Sequence, residues 1–230
     1  MPDFKCAELF GKYFPFWEKL NNDQRELLCR HTTYAVYENG QNIHGASGEC
    51  TGVILIKSGQ ARSYMLSEDG KEITLYRLFP GDICMLSSSC ILRTITFDVF
   101  VDAEVKSEVY IISSQVMAQL ADECVYVENF ALRVATERFS DVMWAMQQIL
   151  FMSMDKRLAV FLIDELSKKS GNDSSPDTVD LTQEQIARYM GSAREVVSRM
   201  LKYFSSEKLV EVSRGGVKII DKERLRKMAL

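Results

Sequence analysis

Between Thr32 and Ile112 the hydrophobic residues come in short runs that turn residues separate. The runs cover residues 34–37, 53–56, 61–65, 73–76, 97–101 and 109–112, and Gly-containing turns lie between several of them. Closely spaced short strands of this kind predict a small antiparallel barrel or roll. Ahead of the strands, residues 6–30 contain two short helical patterns that break at Pro15.

A long helical pattern follows the strands. It runs from a cap expected at Ser113 or Ser114 to about Phe151 and contains no Pro or Gly. Its apolar stripe consists of Val127, Phe130, Ala131, Val134, Val142, Ala145, Met146 and Ile149, with Arg138 among them. Either this stripe packs against the chain's own β-roll, or it forms a two-stranded coiled coil with a second copy, and Arg138 then marks a break in the seam.

The C-terminal pattern predicts a helix over residues 155–166, a loop over 171–177 and then two helices joined by a tight reversal at Gly191. Thr182 can cap the first of the pair, and the second has an inward face of Val197, Met200, Leu201 and Phe204. A short hairpin over 209–220 turns at Gly215 and Gly216, and Asp221 can cap a last helix. Together these elements predict a winged helix-turn-helix.

The outward face of the second helix has the chemistry of a DNA-reading surface. It presents Arg194, Glu195, Ser198, Arg199 and Lys202. Arginine can bond guanine O6 and N7 in the major groove, and glutamate can accept from cytosine N4. We therefore predict that Arg199 contacts guanine, that Glu195 contacts cytosine, and that Arg194 contacts a phosphate or a second guanine. Exposed charges on a helix are also compatible with a merely solvated surface.

The charge distribution favours the same part of the chain. The net charge is −4, yet residues 181–230 hold 11 Lys or Arg against 6 Asp or Glu, a net of +5. The remaining residues hold 17 against 26, a net of −9. Such an asymmetry attracts one end of the molecule to phosphate and predicts DNA binding that is sensitive to salt.

The sequence resembles the Crp/Fnr family of bacterial transcription regulators over nearly its whole length. The recognition-helix patterns Arg-Glu-x-x-x-Arg and Glu-x-x-Ser-Arg are both met by Arg194, Glu195, Ser198 and Arg199, and residues 79–83 resemble the family's Pro-Gly-Asp turn. The resemblance implies a homodimer on inverted repeats with TGTGA- or TTGAT-like half-sites. We expect Thr182, Gln183 and Lys202 at phosphates and RNA polymerase as a further partner.

The expected fold is α+β, with an antiparallel β-roll of the double-stranded β-helix type, a long dimerisation helix and a winged helix-turn-helix. These three regions are predicted at residues 1–112, 113–152 and 153–230. A dimer is favoured because two-fold symmetry suits a pair of helix-turn-helix readers on a palindrome.

The small-molecule effector is not identified by the sequence. Asp82 with Arg93 and Thr94 comes near the carboxylate and Arg-Ser/Thr spacing of cyclic-nucleotide sites, but Phe97 and Asp98 occupy the positions where the family's Arg-Ser pair would fall. This disfavours a cyclic nucleotide. The scattered cysteines disfavour an iron–sulfur cluster, and two histidines, His31 and His44, give little support to haem.

Two other interpretations of the roll remain open. Cys84 and Cys90 could oxidise to a disulfide, or they could be two buried apolar residues. An apolar small molecule could instead bind among Met85, Leu86, Phe97 and Phe100. Most of the six cysteines, which show no CxxC spacing, are expected to be free thiols, and no metal site is predicted.

An enzyme is disfavoured, because the sequence has no phosphate-binding glycine loop, no paired-histidine metal motif and no nucleophile elbow. The rival hypothesis is a cyclic-nucleotide-binding regulatory subunit or docking module that binds no DNA. No secretion signal or membrane-spanning run is apparent, so the protein is expected in the cytoplasm.

Overall fold

The structure is a computed structural model that describes residues 6–45, 51–85, 98–169 and 177–229. The chain divides into two compact units. The first runs to Val142 apart from Glu72–Thr74, and the second comprises Met143–Leu230 with that short stretch. Residues 6–19 contain a helix and a 3-10 turn.

Two four-stranded sheets form the centre of the first unit. Its strands are β1 (Thr32–Tyr37), β2 (Asn42–His44), β3 (Val53–Ser58), β4 (Ala61–Leu66), β5 (Glu72–Leu78), β6 (Ile83–Cys84), β7 (Phe100–Ala103) and β8 (Ser107–Ile112). One sheet has the order β1-β8-β3-β6 and the other β2-β7-β4-β5. The registered pairs β1–β8, β3–β8, β3–β6, β2–β7 and β4–β7 are all antiparallel. The predicted antiparallel β-roll is confirmed.

Strand β3 shows how the roll is filled on both sides. Its four apolar residues are fully buried, but Ile54 and Ile56 join a core with Leu75, Leu78 and Val101 of the other sheet. Val53 and Leu55 point the opposite way, into a core that helices cover. Because successive strand residues face opposite sides, an unbroken apolar run is the pattern expected of a strand buried on both faces.

Four helices of the first unit contribute to that second core. They are α1 (Cys6–Tyr13), α2 (Asn22–Arg30), α3 (Ser114–Glu123) and α4 (Val125–Phe151), and a 3-10 turn spans Trp17–Lys19. Asn21 caps α2 through a capping box with Gln24. Phe10, Phe14 and Phe16 are almost completely buried among these helices.

Two of the six cysteines are exceptions to the expectation that most are free thiols. Cys6 and Cys29 form a disulfide with a Cα–Cα distance of 5.9 Å, whereas Cys84 and Cys124 are free. Cys6 and Cys29 are 23 residues apart, a separation that matches no local cysteine motif. Cys6 and Cys29 both pack against the same hydrophobic core, and sequence spacing does not reveal such a long-range contact.

The long helical segment consists of two helices. Cys124 has extended backbone angles and separates α3 from α4, and the expected Ser113 cap makes no side-chain hydrogen bond. In α4 the predicted stripe is buried at Val127, Phe130, Ala131 and Val134. This half packs against the chain's own unit, as the first of the two interpretations required.

Further along α4 the predicted stripe is not buried, since Met146 and Ile149 are exposed. A second stripe, which shares only Met146 with the predicted one, is exposed from Leu132 to Leu150. Its apolar members are Leu132, Phe139, Met143, Met146 and Leu150, each at least 40% exposed. With Thr136 they follow alternating steps of four and three residues, which is the spacing of a coiled-coil seam.

The second unit contains a helical core and a small sheet. Its elements are α5 (Met154–Lys169), β9 (Thr178–Val179), α6 (Gln183–Tyr189), α7 (Arg194–Ser206), β10 (Val210–Val212), β11 (Val217–Ile219) and α8 (Lys222–Ala229). The sheet has the order β10-β11-β9. Asp221 caps α8, because its carboxylate accepts the Arg224 amide at 2.9 Å. The predicted winged helix-turn-helix is confirmed. None of the helices in the described ranges is long and apolar enough to cross a bilayer.

Candidate nucleic-acid interface

The start of α6 is fixed by a reciprocal cap. The Thr182 hydroxyl accepts the Gln185 amide at 3.2 Å, and the Gln185 side chain accepts the Thr182 amide at 2.9 Å. The same hydroxyl donates to Gln185 Oε1 at 3.0 Å. Thr182 is exposed beside the half-buried Gln183, but its hydroxyl is engaged in the cap.

A glycine makes the reversal between the two helices. Gly191 has a φ of 58°, in the left-handed region that side chains with a Cβ disfavour. The Ser192 amide then donates to the Ala187 carbonyl at 2.9 Å, which closes the end of α6. Helix α6 ends at Tyr189 and is capped by Met190, and this geometry lets α7 start at Arg194, four residues after that cap.

Helix α7 has one face in the core and one in solvent. Val197, Leu201 and Phe204 are fully buried with residues of α5, α6 and the small sheet. The opposite face presents Arg194, Glu195, Arg199 and Lys202 as exposed side chains and Ser198 as a half-buried one. The structure therefore brings the five predicted outward residues together on one surface.

The charges on this surface are not used to hold the fold together. Within the described ranges, the side chains of Arg194, Glu195, Arg199 and Lys202 take part in no ion pair or side-chain hydrogen bond. An exposed and unpaired guanidinium keeps all of its donors for a ligand.

The N-terminus of α7 borders a concave surface of about 330 Å³. Thr182, Gln183 and Arg194 line it together with the hairpin residues Ser213 and Arg214. Ala193, the residue before the helix, supplies no side-chain cap, so the first amides of α7 remain available to an anion. Glu184 adds one carboxylate to the lining, so a phosphate group would depend on the two arginines and the helix N-terminus to outweigh that charge.

Sequence reasoning missed the cations of the hairpin. The β10–β11 turn is closed by a 2.9 Å bond from the Ser213 amide to the Gly216 carbonyl, and the exposed Arg214 lies in this turn. Lys218 on β11 is also exposed and lies 3.6 Å from Asp177. An arginine beside two turn glycines was the available signal, because a tight turn places such a side chain at the tip of a wing.

The three described effector candidates of the first unit, Asp82, Met85 and Phe100, do not come together in one site. The Asp82 carboxylate accepts the Phe79 amide at 2.8 Å within its own turn and lies 3.6 Å from Arg138. Met85 is fully buried in the core that the helices cover, whereas Phe100 stacks on Tyr64 at 5.4 Å on the second sheet. The other four candidates, Leu86, Arg93, Thr94 and Phe97, lie outside the described residues.

Of the two candidate redox cysteines, Cys84 is described and Cys90 is not. Cys84 is fully buried, and its sulfur lies 3.5 Å from the Tyr76 hydroxyl. Burial raises the pKa of Tyr76 well above its ordinary value, Cys84 adds to the rise, and Ser63 and Arg138 act against it. Cys84 therefore sits among buried neighbours inside the roll.

The candidate haem ligand His44 has a neighbour that uses one ring nitrogen. Its Nδ1 lies 2.7 Å from Thr51 Oγ1. Burial lowers the pKa of this imidazole, and the charge of Asp98 acts in the opposite direction. The described residues contain no group of three or more His, Cys, Asp and Glu side chains that could hold a metal ion.

Comparisons with known proteins agree with this architecture. Residues 35–124 match the cyclic nucleotide-binding domain model, and residues 156–228 match the Crp-like helix-turn-helix domain model. The crystal structure of a protein from Eubacterium rectale, described as a transcriptional regulator of the Crp/Fnr family, is 42% identical with a TM-score of 0.86. That alignment covers 95% of this chain and 99% of the other.

Two curated regulators are similar at lower identity. The transcriptional regulator Flp of Lacticaseibacillus casei is 26% identical over 94% of this chain and 95% of its own length. The fumarate and nitrate reduction regulatory protein of Vibrio cholerae is 26% identical over 84% of this chain and 76% of its own. On this combination of fold, recognition helix and relatives, the chain belongs to the Crp/Fnr family of DNA-binding transcriptional regulators.

Proposed function

We propose that the protein is a homodimer that binds inverted-repeat DNA through α7 and regulates transcription in response to a signal received by its β-roll. The observation that carries the proposal is the outward face of α7, where Arg194, Glu195 and Arg199 are exposed and unpaired among the described residues. The buried face of the same helix holds this surface rigidly. A rigid helix with free donors and an acceptor suits the major groove.

Each side chain has a specific expected partner on the DNA. Arg199 donates to guanine O6 and N7, Glu195 accepts from cytosine N4, and Arg194 takes a phosphate or a second guanine. Ser198 favours a thymine-containing variant of the half-site. The half-sites are TGTGA- or TTGAT-like by the family resemblance.

Phosphate contacts position the helix in the groove. Gln183, the half-buried first residue of α6, lines the concave surface together with Arg214 of the wing, and Lys202 is exposed on α7. Thr182 joins them only if its hydroxyl turns away from Gln185. These contacts add affinity for DNA of any sequence and make binding depend on salt.

The second stripe of α4 supports a dimer. Five exposed apolar side chains at coiled-coil spacing form a continuous strip that a second copy of the same helix would cover. Arg138 does not interrupt it, because its side chain is only 16% exposed and faces Asp82 and Tyr76. Two copies joined in this way would carry two recognition helices to successive major grooves, roughly 34 Å apart.

The signal would reach the DNA through α4. The buried half of this helix packs with the roll, and its exposed stripe serves the dimer, so a change in the roll would shift the dimer geometry. The ligand is an unidentified small molecule, RNA polymerase is the further partner, and the cytoplasm is the proposed site of action.

The proposal is tested by breaking the seam with Phe139→Glu. Phe139 is 64% exposed, so the substitution leaves the fold intact while it places a charge in the dimer contact. We expect a monomer in sedimentation equilibrium, and an affinity for an inverted-repeat duplex that falls by about 100-fold because two linked half-site contacts become one. Glu137→Gln, on an exposed position outside the stripe, is the matched control. A variant that stays dimeric and keeps its affinity would refute the seam.

A further inference from the structure

The disulfide between Cys6 and Cys29 joins the two N-terminal helices of the first unit. Cys6 is the first residue of α1 and Cys29 lies in the last turn of α2. Their Cα atoms are 5.9 Å apart, within the range that a disulfide accepts without moving the backbone. Both residues are only partly buried. A small reagent can therefore reach them.

The residues enclosed by the bridge contact the first turns of α4. The rings of Phe14 and Phe16 lie 5.5 and 5.2 Å from the ring of Phe130. The Lys19 ammonium lies 5.5 Å from the centre of the Tyr126 ring. The disulfide thus closes a loop whose side chains contact the N-terminal turns of α4, just before the exposed stripe begins at Leu132.

A third cysteine at this core provides an internal comparison. Cys124, at the break between α3 and α4, packs at the edge of the same core and is a free thiol. Beside it, Glu123 accepts a 3.2 Å hydrogen bond from the Gln24 side chain of α2. The pairing of Cys6 with Cys29 is therefore selective among the described cysteines of this region.

We propose that Cys6 and Cys29 are a reversible oxidation site whose state controls how firmly α4 is held, and through it DNA affinity. The inference rests on the proposed function, because a protein that acts on chromosomal DNA works where cellular thiols are kept reduced. A disulfide found in such a protein is most often a transient, sensing one. The oxidant class is a low-molecular-weight disulfide such as oxidised glutathione.

The chemistry is a pair of thiol–disulfide exchanges. The thiolate of one cysteine attacks a sulfur of the small disulfide, which forms a mixed disulfide and releases one small thiolate. The second cysteine thiolate then attacks the protein sulfur of that mixed disulfide, forms the Cys6–Cys29 bond and releases the second small thiolate. The two protein thiols lose two electrons, and their two protons end on the two small thiols.

Reduction should loosen the N-terminal segment. Helix α1 has eight residues, and Phe10 is its one fully buried residue, so the helix depends on the covalent link for much of its order. Without the link the Phe14 and Phe16 contacts with Phe130 are held less firmly. The first turns of α4 then exchange between more conformations, and dimer and DNA affinity fall.

The oxidation site is tested on the full-length protein in glutathione buffers of graded redox ratio. Acid quenching, alkylation and peptide mass spectrometry should show Cys6 and Cys29 converting together from two labelled thiols to one disulfide. In a separate labelling of the native protein without acid quenching, the buried Cys84 should stay unlabelled in both forms. Persistent free thiols at Cys6 and Cys29 in oxidising buffer, or stable mixed disulfides at both, would overturn the site.

The effect on α4 is tested without DNA by hydrogen exchange. Amides of residues 126–134 should exchange faster in the reduced protein, and Cys6→Ser and Cys29→Ser should match the reduced protein in either buffer. Cys124→Ser is the control and should keep the difference between the two forms. Equal exchange in the oxidised and reduced proteins would overturn the proposed coupling.

The effect on DNA is measured by fluorescence anisotropy with an inverted-repeat duplex and a scrambled one. We expect the reduced form to bind the inverted repeat about tenfold more weakly, a usual size for coupling between sites. Equal affinity of the two forms would overturn the control of DNA binding. If no form prefers the inverted repeat over the scrambled duplex, the proposed function fails, and the mass and exchange measurements still decide the oxidation site.

Discussion

Arg194 and Arg199 of the C-terminal unit and Arg62 of the β-roll unit stand in opposite relations to their surroundings. In the C-terminal unit Arg194 and Arg199 are exposed and bond no other described side chain. In the β-roll unit Arg62 is 2% exposed, its Nε lies 3.9 Å from Glu104, and its guanidinium is 4.1 Å from the centre of the Tyr64 ring. Arg194 and Arg199 lie on the proposed DNA surface, whereas Arg62 is part of the packed interior of the roll.

This difference indicates which substitutions should change DNA binding alone and which should change the free energy of unfolding. An exposed, unpaired arginine contributes little to the free energy of unfolding, so its removal acts on binding alone. A buried arginine balances a buried carboxylate, so its removal leaves that charge uncompensated in a poorly solvated interior. Substitution of Arg62 and of Arg199 should therefore give opposite phenotypes.

The largest expected effect is that of Arg62→Ala on stability. The substitution leaves Glu104, whose side chain is 10% exposed, without its cationic partner and removes the contact with Tyr64. We expect the free energy of unfolding to fall by about 3 kcal/mol in urea titrations. Lys106→Ala, which breaks an exposed ion pair with Glu38, is the control and should cost less than about 1 kcal/mol. Equal losses for the two variants would contradict the comparison.

Arg199→Ala should show the opposite behaviour. We expect a loss of about 1–3 kcal/mol in binding to the inverted repeat, because a bidentate contact with guanine disappears. The unfolding free energy should change by less than about 0.5 kcal/mol, since the side chain is exposed. Anisotropy with cognate and random duplexes tests the expected loss of binding, and a urea titration tests the expected unfolding free energy. An equal loss on random DNA would show that Arg199 does not read a base.

The sequence predicts the outward face of α7 better than it predicts the effector candidates of the roll, and the reason is physical. The face of α7 is set by a single helical period, and Thr182 and Gly191 mark its boundaries locally, so the outward residues could be named without long-range information. In the roll, Met85 and Phe100 were grouped because they are close in sequence and apolar. Strand order places Met85 in the core that the helices cover and Phe100 beside Tyr64 on the other sheet.

The long helix shows the same limit. The buried stripe was visible as a period, but the place of Arg138 was not, because its inward orientation depends on the turn that contains Asp82. The exposed stripe that includes Leu132 and Phe139 is equally periodic in the sequence. Both stripes are periodic on the same helix, so only the burial of each side chain in the folded chain shows which stripe faces the core. The Cys6–Cys29 bridge likewise depends on two helices meeting.

Lys202→Ala should give a smaller and less selective effect than Arg199→Ala. Lys202 is exposed further along α7, where a phosphate rather than a base edge is its expected partner. We expect cognate and random duplexes to lose affinity alike and the slope of log affinity against log salt to flatten by about 1. A salt series with both duplexes tests this. A loss confined to the cognate duplex would assign Lys202 to a base instead.

The smallest effect is a pH dependence that belongs to the roll alone. Burial lowers the pKa of His44 in the folded protein, so the unfolded chain binds a proton more readily as the pH falls below the ordinary histidine value of about 6.5. The stability of the first unit should therefore decline between about pH 7 and pH 5. His44→Gln should remove part of this slope, measured as melting temperature against pH. An unchanged slope would mean that the imidazole near Thr51 is not held neutral by the fold, and that this titratable group, unlike Arg62, does not serve the fold.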